Sequence, residues 1–466
     1  MTAPEPQLCD AVYEITPADS NMASRVNLQF VLVYQTPQNL RPHMAARLRE
    51  AFYRTMARYP IFYGRIEACS AESSLAVARV VVSSCVPEEC IPRYEDVDTD
   101  VRVEDIRAAH FNWSTWPPAL LSVCPVRRAA VEGQPDDPLV HCVVTWHADG
   151  MCIMISIDHL VADGIGVDIV LDQWAQAVRE PQTVSDAEGD SDHMSMYDSI
   201  RQCTPEADWF VRHVDAVDIT SVKAPSEAAL VTDPRSPQEV ELSLRNNVHS
   251  VRMTPDAMEL LRHDALQECG VASEDCRVSL IRVVYALMWQ RYMVAVQEDA
   301  VPDAAPSLFN IVHSGRYLVN RPQYIGNCVC PVYMTHTMGE LKRMPLYRLA
   351  EEIDKHMFDV SRPRWMALML LLQDPERYAK FITVFANPNS HQLTVSNLSQ
   401  SGMLGADFGF GSPAHATVYP ALIPGFAVWV PLTAAGGLHI LWNMTPAVAT
   451  RLQNDPVFTR YAELLF

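Results

Sequence analysis

Apolar positions along this chain follow two rhythms. Between Arg41 and Tyr59, Met44, Leu48, Phe52 and Met56 recur every four residues behind Pro42, the spacing that keeps side chains on one helix face. This predicts an amphipathic helix that ends before Pro60. Leu139 to Trp146 and Met151 to Ile157 are nearly continuous apolar runs on either side of His147-Ala148-Asp149-Gly150, which predicts two buried strands joined by a hairpin turn. Beyond His159 the helical rhythm returns: Val167, Val170, Leu171 and Trp174 share a face, with Gly164 and Gly166 in the connection ahead of them. The local unit is strand, loop, helix.

From about Glu180 to Arg245 the composition turns to Asp, Ser, Pro and Glu, with an acidic cluster from Asp186 to Asp192. This marks a crossover linker, 186–245, between an N-terminal domain, 1–185, and a C-terminal domain, 246–466. The second half opens on a strand-like Val251 to Met253 and a helix start signalled by Thr254 at the N-cap, Pro255 at the first helical position and Asp256 in the first turn. Ser279 to Met293 is apolar on most faces and reads as a buried helix. Strand-like and helical stretches alternate to the end without a short repeat, so the class is α/β.

Composition refines this picture. A chain of 466 residues exceeds one compact core, and an apolar fraction of 49% with 20% charged residues describes a globular protein with ample core. Apolar stretches such as Met366 to Leu372 fall far short of the ~20 residues that span a bilayer. Met1 to Asp10 lacks the features of a secretory signal, and Leu464-Leu465-Phe466 is not a peroxisomal address, so a cytoplasmic location is expected. The 12 cysteines are scattered and are expected to stay reduced. Cys328 and Cys330 have no second pair at zinc-site spacing, so no metal is expected. A net charge of -20 disfavours nucleic acid and anionic membranes as partners. It leaves room for an anionic small molecule, which a few cations and backbone amides can hold.

The chemistry concentrates in Ile157-Asp158-His159-Leu160-Val161-Ala162-Asp163-Gly164, where a histidine stands at the exit of a buried strand and an aspartate and a glycine follow. A loop at a strand end fixes a catalytic residue while leaving one face open, and histidine, with an ordinary pKa of ~6.5, suits base catalysis near neutrality. Asp163 can be read as the partner that orients His159, or as a helix-capping residue whose carboxylate points elsewhere; the turning loop favours the second. Gly164 is expected to supply backbone freedom. His141 and His147 read as satisfied or surface residues, not ligands.

Several segments in order resemble the BAHD-type acyl-CoA-dependent acyltransferases. Ile15-Thr16-Pro17-Ala18-Asp19 is similar to that family's N-terminal element, and Tyr59-Pro60-Ile61-Phe62-Tyr63-Gly64-Arg65 to its Tyr-Pro-x-x-x-Gly-Arg stretch. The His159 motif follows, then Leu287-Met288-Trp289, Tyr324-Ile325-Gly326-Asn327 and Asp407-Phe408-Gly409-Phe410-Gly411, which resembles the Asp-Phe-Gly-Trp-Gly signature. The resemblance implies two similar-sized chloramphenicol acetyltransferase-like α/β domains with a channel at their interface and His159 midway along it. It further implies acyl-CoA as co-substrate, no permanently bound cofactor, a monomer, and direct transfer of the acyl group to a hydroxyl or amine of a small-molecule acceptor with His159 as general base. Asp163 would then anchor its loop through Arg316, and Asp407, Gly409 and Gly411 would be structural.

Departures from the pattern also matter. Ser396-Asn397-Leu398 stands where many plant members carry Thr/Ser-x-Trp, so Ser396 or Asn397 is the candidate oxyanion donor. Phe410 replaces the signature tryptophan. Asp158 stands where condensation domains of peptide synthetases, which share the fold, have a second histidine. The divergence resembles the fungal secondary-metabolism branch, such as trichothecene O-acetyltransferases. Thr254, Arg262, Arg277 and Ser279 fall in the region that lines the CoA channel in the family, as either phosphate-binding groups or ordinary caps and surface cations. Two other readings remain at this point: a condensation-like enzyme that takes acyl groups from a carrier protein, and an inactive ligand-binding homologue.

Overall fold

A computed structural model describes residues 8–15, 27–36, 40–68, 78–112, 115–117, 120, 138–181, 247–296, 301–365, 391–419 and 425–465. Thr16 to Asp19, the linker 186–245 and Met366 to Leu372 lie outside them. The first half contains β1 (Ala11–Glu14), β2 (Asn27–Tyr34), α1 (Arg41–Met56), β3 (Arg65–Ala68), β4 (Ala78–Val82), β5 (Arg93–Asp98), α2 (Val103–Ala108), β6 (Val140–His147), β7 (Gly150–Asp158) and α3 (Gly164–Arg179). The second half contains β8 (Val248–Met253), α4 (Pro255–Cys269), α5 (Leu280–Val296), β9 (Pro306–Ser314), α6 (Arg316–Val319), β10 (Val329–Thr337), α7 (Met338–Arg343) and α8 (Leu346–Phe358). It closes with β11 (Gln392–Asn397), β12 (His415–Val418), β13 (Phe426–Thr433), β14 (Gly436–Asn443), α9 (Pro446–Gln453) and β15 (Glu463–Leu464).

Among the described residues, two large sheets organise the molecule, in the orders β12-β2-β7-β6-β5 and β10-β9-β11-β13-β14-β8-β15, beside a small one, β1-β4-β3. The expected hairpin forms with Val140 opposite Ile157 and His147 opposite Gly150. α1 buries Met44, Leu48, Phe52 and Met56 as its four-residue spacing demands, and α3 buries Val167, Val170, Leu171 and Trp174. α5 is covered on nearly every side and forms the centre of the second core, with Trp289 and Leu287 inaccessible to solvent. No described helix is long and apolar enough to cross a membrane.

The division of chain between the two sheets differs from the one the linker suggests. β12, which follows the Asp407 motif and belongs by sequence to the C-terminal half, pairs antiparallel with β2, placing Ala416 opposite Leu32 at the edge of the first sheet. Met403, Ala406, Phe408, Ala416 and Val418 consequently join the first hydrophobic core. Val428, Val430 and Leu441 of the second sheet pack against that same core, whereas Ala427 and Trp429 of the same strand face the second core. Strand alternation therefore turns one face of the second sheet toward the first domain. His415 on β12 meets His439 on β14 across this contact, with ring centroids 5.2 Å apart.

Candidate active site

β7 is buried along its whole length and delivers His159 immediately past its last residue. The loop that follows is held by its own backbone: the Asp158 carboxylate accepts from the Leu160 amide at 2.9 Å, and the Val161 amide donates to the Asp158 carbonyl at 3.0 Å. Asp163 ends the loop as the N-cap of α3, its Oδ1 accepting from the Gly166 amide at 2.9 Å.

The same carboxylate meets Arg316 of the second half side by side, Nη1 to Oδ2 at 2.8 Å and Nη2 to Oδ1 at 2.7 Å. The Cys328 amide adds a fourth bond to Oδ2 at 3.0 Å. An ionised carboxylate has about four acceptor positions, and these contacts fill them. Asp163 therefore has no lone pair left with which to orient His159; it anchors the loop and caps the helix at once. Arg316 directs two further N–H groups to the carbonyls of Tyr324 at 2.8 Å and Gly326 at 3.0 Å, and both charged side chains are at most 6% exposed.

Segment 324–328 thus wraps the His159 loop from the opposite half. Asn327, inaccessible to solvent, donates from Nδ2 to the His159 carbonyl at 2.6 Å. Gly164 and Gly166 lie in the first turn of α3, not in a connection before it. Neither is among the glycines with a left-handed backbone, so the freedom expected of Gly164 is not what its place in the helix draws on. A Cβ at Gly164 would stand 2.9 Å from the Leu398 side chain, and one at Gly166 would stand 1.9 Å from the Ile325 carbonyl oxygen. These glycines are required by close approach of the two halves. The Gly166 and Asn327 roles were missed in the sequence, although Asn327 belongs to the quoted Tyr-Ile-Gly-Asn stretch.

His159 keeps a partly accessible side while Nδ1 is its buried ring nitrogen. Burial lowers its pKa below the ordinary 6.5, outweighing the upward pull of its own carbonyl, of Asp163 and Asp158, and of the Asn327 side chain. The imidazole is therefore neutral and able to accept a proton at pH 7.

Ser396 and Asn397 end β11 and take different roles. Asn397 uses both ends of its amide inside the second domain, donating to the Tyr285 hydroxyl at 2.7 Å and accepting from the Ser399 amide at 2.9 Å. Ser396 alternates with Val395 of the second core and shares its face with Leu398, the residue that meets Gly164. Of the two candidates, Ser396 is the one turned toward the His159 loop.

Asp407 accepts from the amides of Gly409 at 2.7 Å, Phe410 at 3.0 Å and Gly411 at 2.8 Å. Burial pushes its pKa up, but these three amides and Arg179 together hold it below the usual 3.8. The turn requires left-handed backbone at Gly409 (φ 97°) and Gly411 (φ 95°). It presents Phe408 to Trp174 at 4.8 Å and Phe410 to Tyr34 at 4.9 Å, and Arg179 of α3 bonds to the Asp407 carbonyl. The motif is a clasp between the halves.

Thr254 caps α4 by accepting from the Ala257 amide at 3.2 Å, and Arg262 pairs with Glu259 one turn away at 2.7 Å. Arg277 and Ser279 are exposed ahead of α5. His147 is buried against the Val101 carbonyl at 2.6 Å, and His141 contacts Glu95 at 3.1 Å. Cys328 and Cys330 are buried and form no disulfide.

A family model described as the Transferase family matches residues 7–421. Acyltransferase easC of Emericella nidulans is 24% identical over 379 residues, spanning 77% of this chain and 75% of that protein. The crystal structure of F. graminearum TRI101 with coenzyme A and deoxynivalenol superposes at a TM-score of 0.73 with 17% identity, covering 98% of this chain and 100% of that one. Vinorine synthase superposes at 0.62 with 14% identity, covering 97% and 93%. At these identities the superpositions speak for a shared two-domain α/β fold.

Proposed function

Because the chain belongs to the Transferase family, the BAHD-type acyltransferases, we propose that it transfers an acyl group from acyl-CoA to a hydroxyl or amine of a small, secondary-metabolite acceptor. The observation that carries this reading is His159: a partly accessible, neutral imidazole at a strand exit, fixed by segment 324–328 of the other half. The reading treats the molecule as two domains, 1–185 and 246–466, about a channel. We place the protein in the cytoplasm as a monomer. Acyl-CoA is a co-substrate in this scheme, with no resident cofactor.

The chemistry follows from the residues. The outward ring nitrogen of His159, Nε2, takes the proton of the acceptor hydroxyl or amine as its oxygen or nitrogen attacks the thioester carbonyl. The new bond places negative charge on the carbonyl oxygen, and the Ser396 hydroxyl is the donor proposed to hold it. Collapse breaks the carbon–sulfur bond, and the imidazolium returns its proton to the departing thiolate. CoA thiol and an ester or amide leave, and His159 is neutral again. No acyl-enzyme forms. Asp163 and Arg316 take no part in proton transfer in this scheme, since the acceptor positions of Asp163 are filled and the two side chains are bonded to each other. Thr254, Arg262, Arg277 and Ser279 are offered as the group that meets the CoA phosphates on the second-domain side.

Purified protein given mixed acyl-CoAs and a metabolite extract should release free thiol and yield an acylated product by mass spectrometry. His159→Ala should abolish both while keeping its fold by circular dichroism. Undiminished turnover in that variant would refute the mechanism. Activity only with acyl groups on a phosphopantetheinyl carrier would move the assignment to the condensation-like class.

A further inference from the structure

The peptide group that joins His159 to Leu160 is held at both ends by side chains. Its carbonyl accepts from Asn327 Nδ2 at 2.6 Å, reached from the second half, and its N–H donates to the Asp158 carboxylate at 2.9 Å, reached from the strand end. Asp158 is itself fixed by the first sheet. Its amide donates to the Leu139 carbonyl at 2.9 Å, it stands opposite Asn27 of β2, and its own carbonyl accepts from the Val161 amide at 3.0 Å.

With the chain fixed on the Asp158 side, rotation about the His159 Cα–C bond turns the 159–160 peptide relative to the imidazole. A flip of that peptide would take its carbonyl from Asn327 and its N–H from Asp158 at once. The carbonyl is also among the groups that pull the His159 pKa upward, so its direction reaches the ring. Aspartate closes many turns by accepting from the amide two residues on. Here the amide so held belongs to the peptide that carries the His159 carbonyl. Asp158 is 2% and Leu160 7% exposed, so an N–H left unpaired there would bear its desolvation cost without help from solvent.

Resting on the acyltransferase reading, we infer that Asp158 is a positioning residue for His159, fixing one end of the peptide that Asn327 fixes at the other, so that the two side chains together aim the imidazole. One grip comes from each half of the molecule. Asp158 touches no substrate in this scheme and exchanges no proton. Its effect falls on the transfer step and not on acyl-CoA binding, because a misaimed base leaves the thioester where it was. Displacing a reacting group by about 1 Å can cost ~10²-fold in rate.

The test compares Asp158→Ala, which removes the acceptor, with Asp158→Asn, which keeps an oxygen in its place. In Asp158→Ala, kcat for thiol release should fall at least about tenfold while the KM for acyl-CoA stays within about twofold. Asp158→Asn should recover kcat to within about threefold of wild type. A wild-type kcat in Asp158→Ala overturns the proposal. So does a kcat in Asp158→Asn as low as that of Asp158→Ala, or a loss carried by KM alone. Should Asp158→Ala not fold, Asp158→Ser takes its place, its shorter hydroxyl giving a lower kcat than Asp158→Asn; the reverse order overturns the proposal. Amide hydrogen exchange reads the bond without turnover: the Leu160 amide should be protected in wild type and Asp158→Asn and exchange at least about tenfold faster in Asp158→Ala. Equal protection in all three also overturns it. A wild type that releases no thiol from any acyl-CoA refutes the acyltransferase reading, while the exchange comparison still decides whether Asp158 holds the peptide.

Discussion

Arg316 grips Asp163 across 153 residues of sequence with two parallel hydrogen bonds, at 2.8 and 2.7 Å, while Asp163 also caps the helix that follows the His159 loop. One side chain thus fixes the helix start, the loop and the opposite half of the molecule together.

Breaking this pair from one side should be far worse than removing both charges. Asp163→Asn, which keeps a capping group, and Arg316→Met should each cost about 3–5 kcal/mol of stability, and the double variant should recover a substantial part of that. Urea unfolding of the four proteins closes the double-mutant cycle; strictly additive losses would mean that the pair is not coupled.

The two glycines of the first helical turn should respond unequally to a methyl group. At Gly166 the new Cβ meets a backbone carbonyl at 1.9 Å, which cannot retreat without moving segment 324–328. At Gly164 it meets a leucine side chain at 2.9 Å, which can rotate. Gly166→Ala should lose about 1–3 kcal/mol or more and most of its thiol-releasing activity, and Gly164→Ala should lose less of both. Thermal melts and initial rates measured side by side decide the order.

Burial lowers the His159 pKa below 6.5, so if His159 is the base proposed above it stays deprotonated into mildly acidic solution. The pH profile of kcat/KM should therefore rise and level off with its acid-side inflection below 6.5. Asn327→Ala should lower kcat with little change in the KM for acyl-CoA and should move that inflection, since Asn327 holds the His159 carbonyl from the other half. An unmoved inflection with an unchanged kcat would assign Asn327 to stability alone.

A second pH dependence belongs to folding. Burial drives His415 well below its ordinary value, with His439 adding repulsion, and burial lowers His439 to about 4. Unfolded histidines charge near 6.5, so below that pH the unfolded state binds protons that the folded pair refuses. Stability should be level above pH 6.5 and fall as the pH drops toward about 4. His439→Gln, which can keep a bond to Ser250, should flatten that decline in melts recorded from pH 7.5 to 5; an unchanged slope would place its origin elsewhere.

Much of this was legible in the chain because local periodicity reports local geometry. The four-residue spacing in α1 and the apolar runs around His147 to Gly150 specify which faces are buried, and the structure buries those faces. The position of His159 at a strand exit followed directly. What alternation leaves open is the partner of a strand. His415 to Val418 reads as a buried strand whether it extends the second sheet or, as found, the first. The Gly164 expectation missed for a related reason: backbone freedom is a local property, whereas contact with Leu398 comes from residues more than two hundred positions away. The two uses of Asp163 looked like alternatives because a sequence shows one carboxylate and not its separate lone pairs.

The crossing of β12 into the first sheet has a consequence for the molecule as a whole. Without it the first sheet ends at β2 with an unpaired edge, and the clasp of Phe408 and Phe410 on Trp174 and Tyr34 is lost. The first half does not carry all the parts of its own core, whereas the second core is built entirely from residues of the second half. The second half lends a segment to the first, so a polypeptide ending within 186–245 is expected to precipitate when made alone and to stay in solution when made together with the rest of the chain.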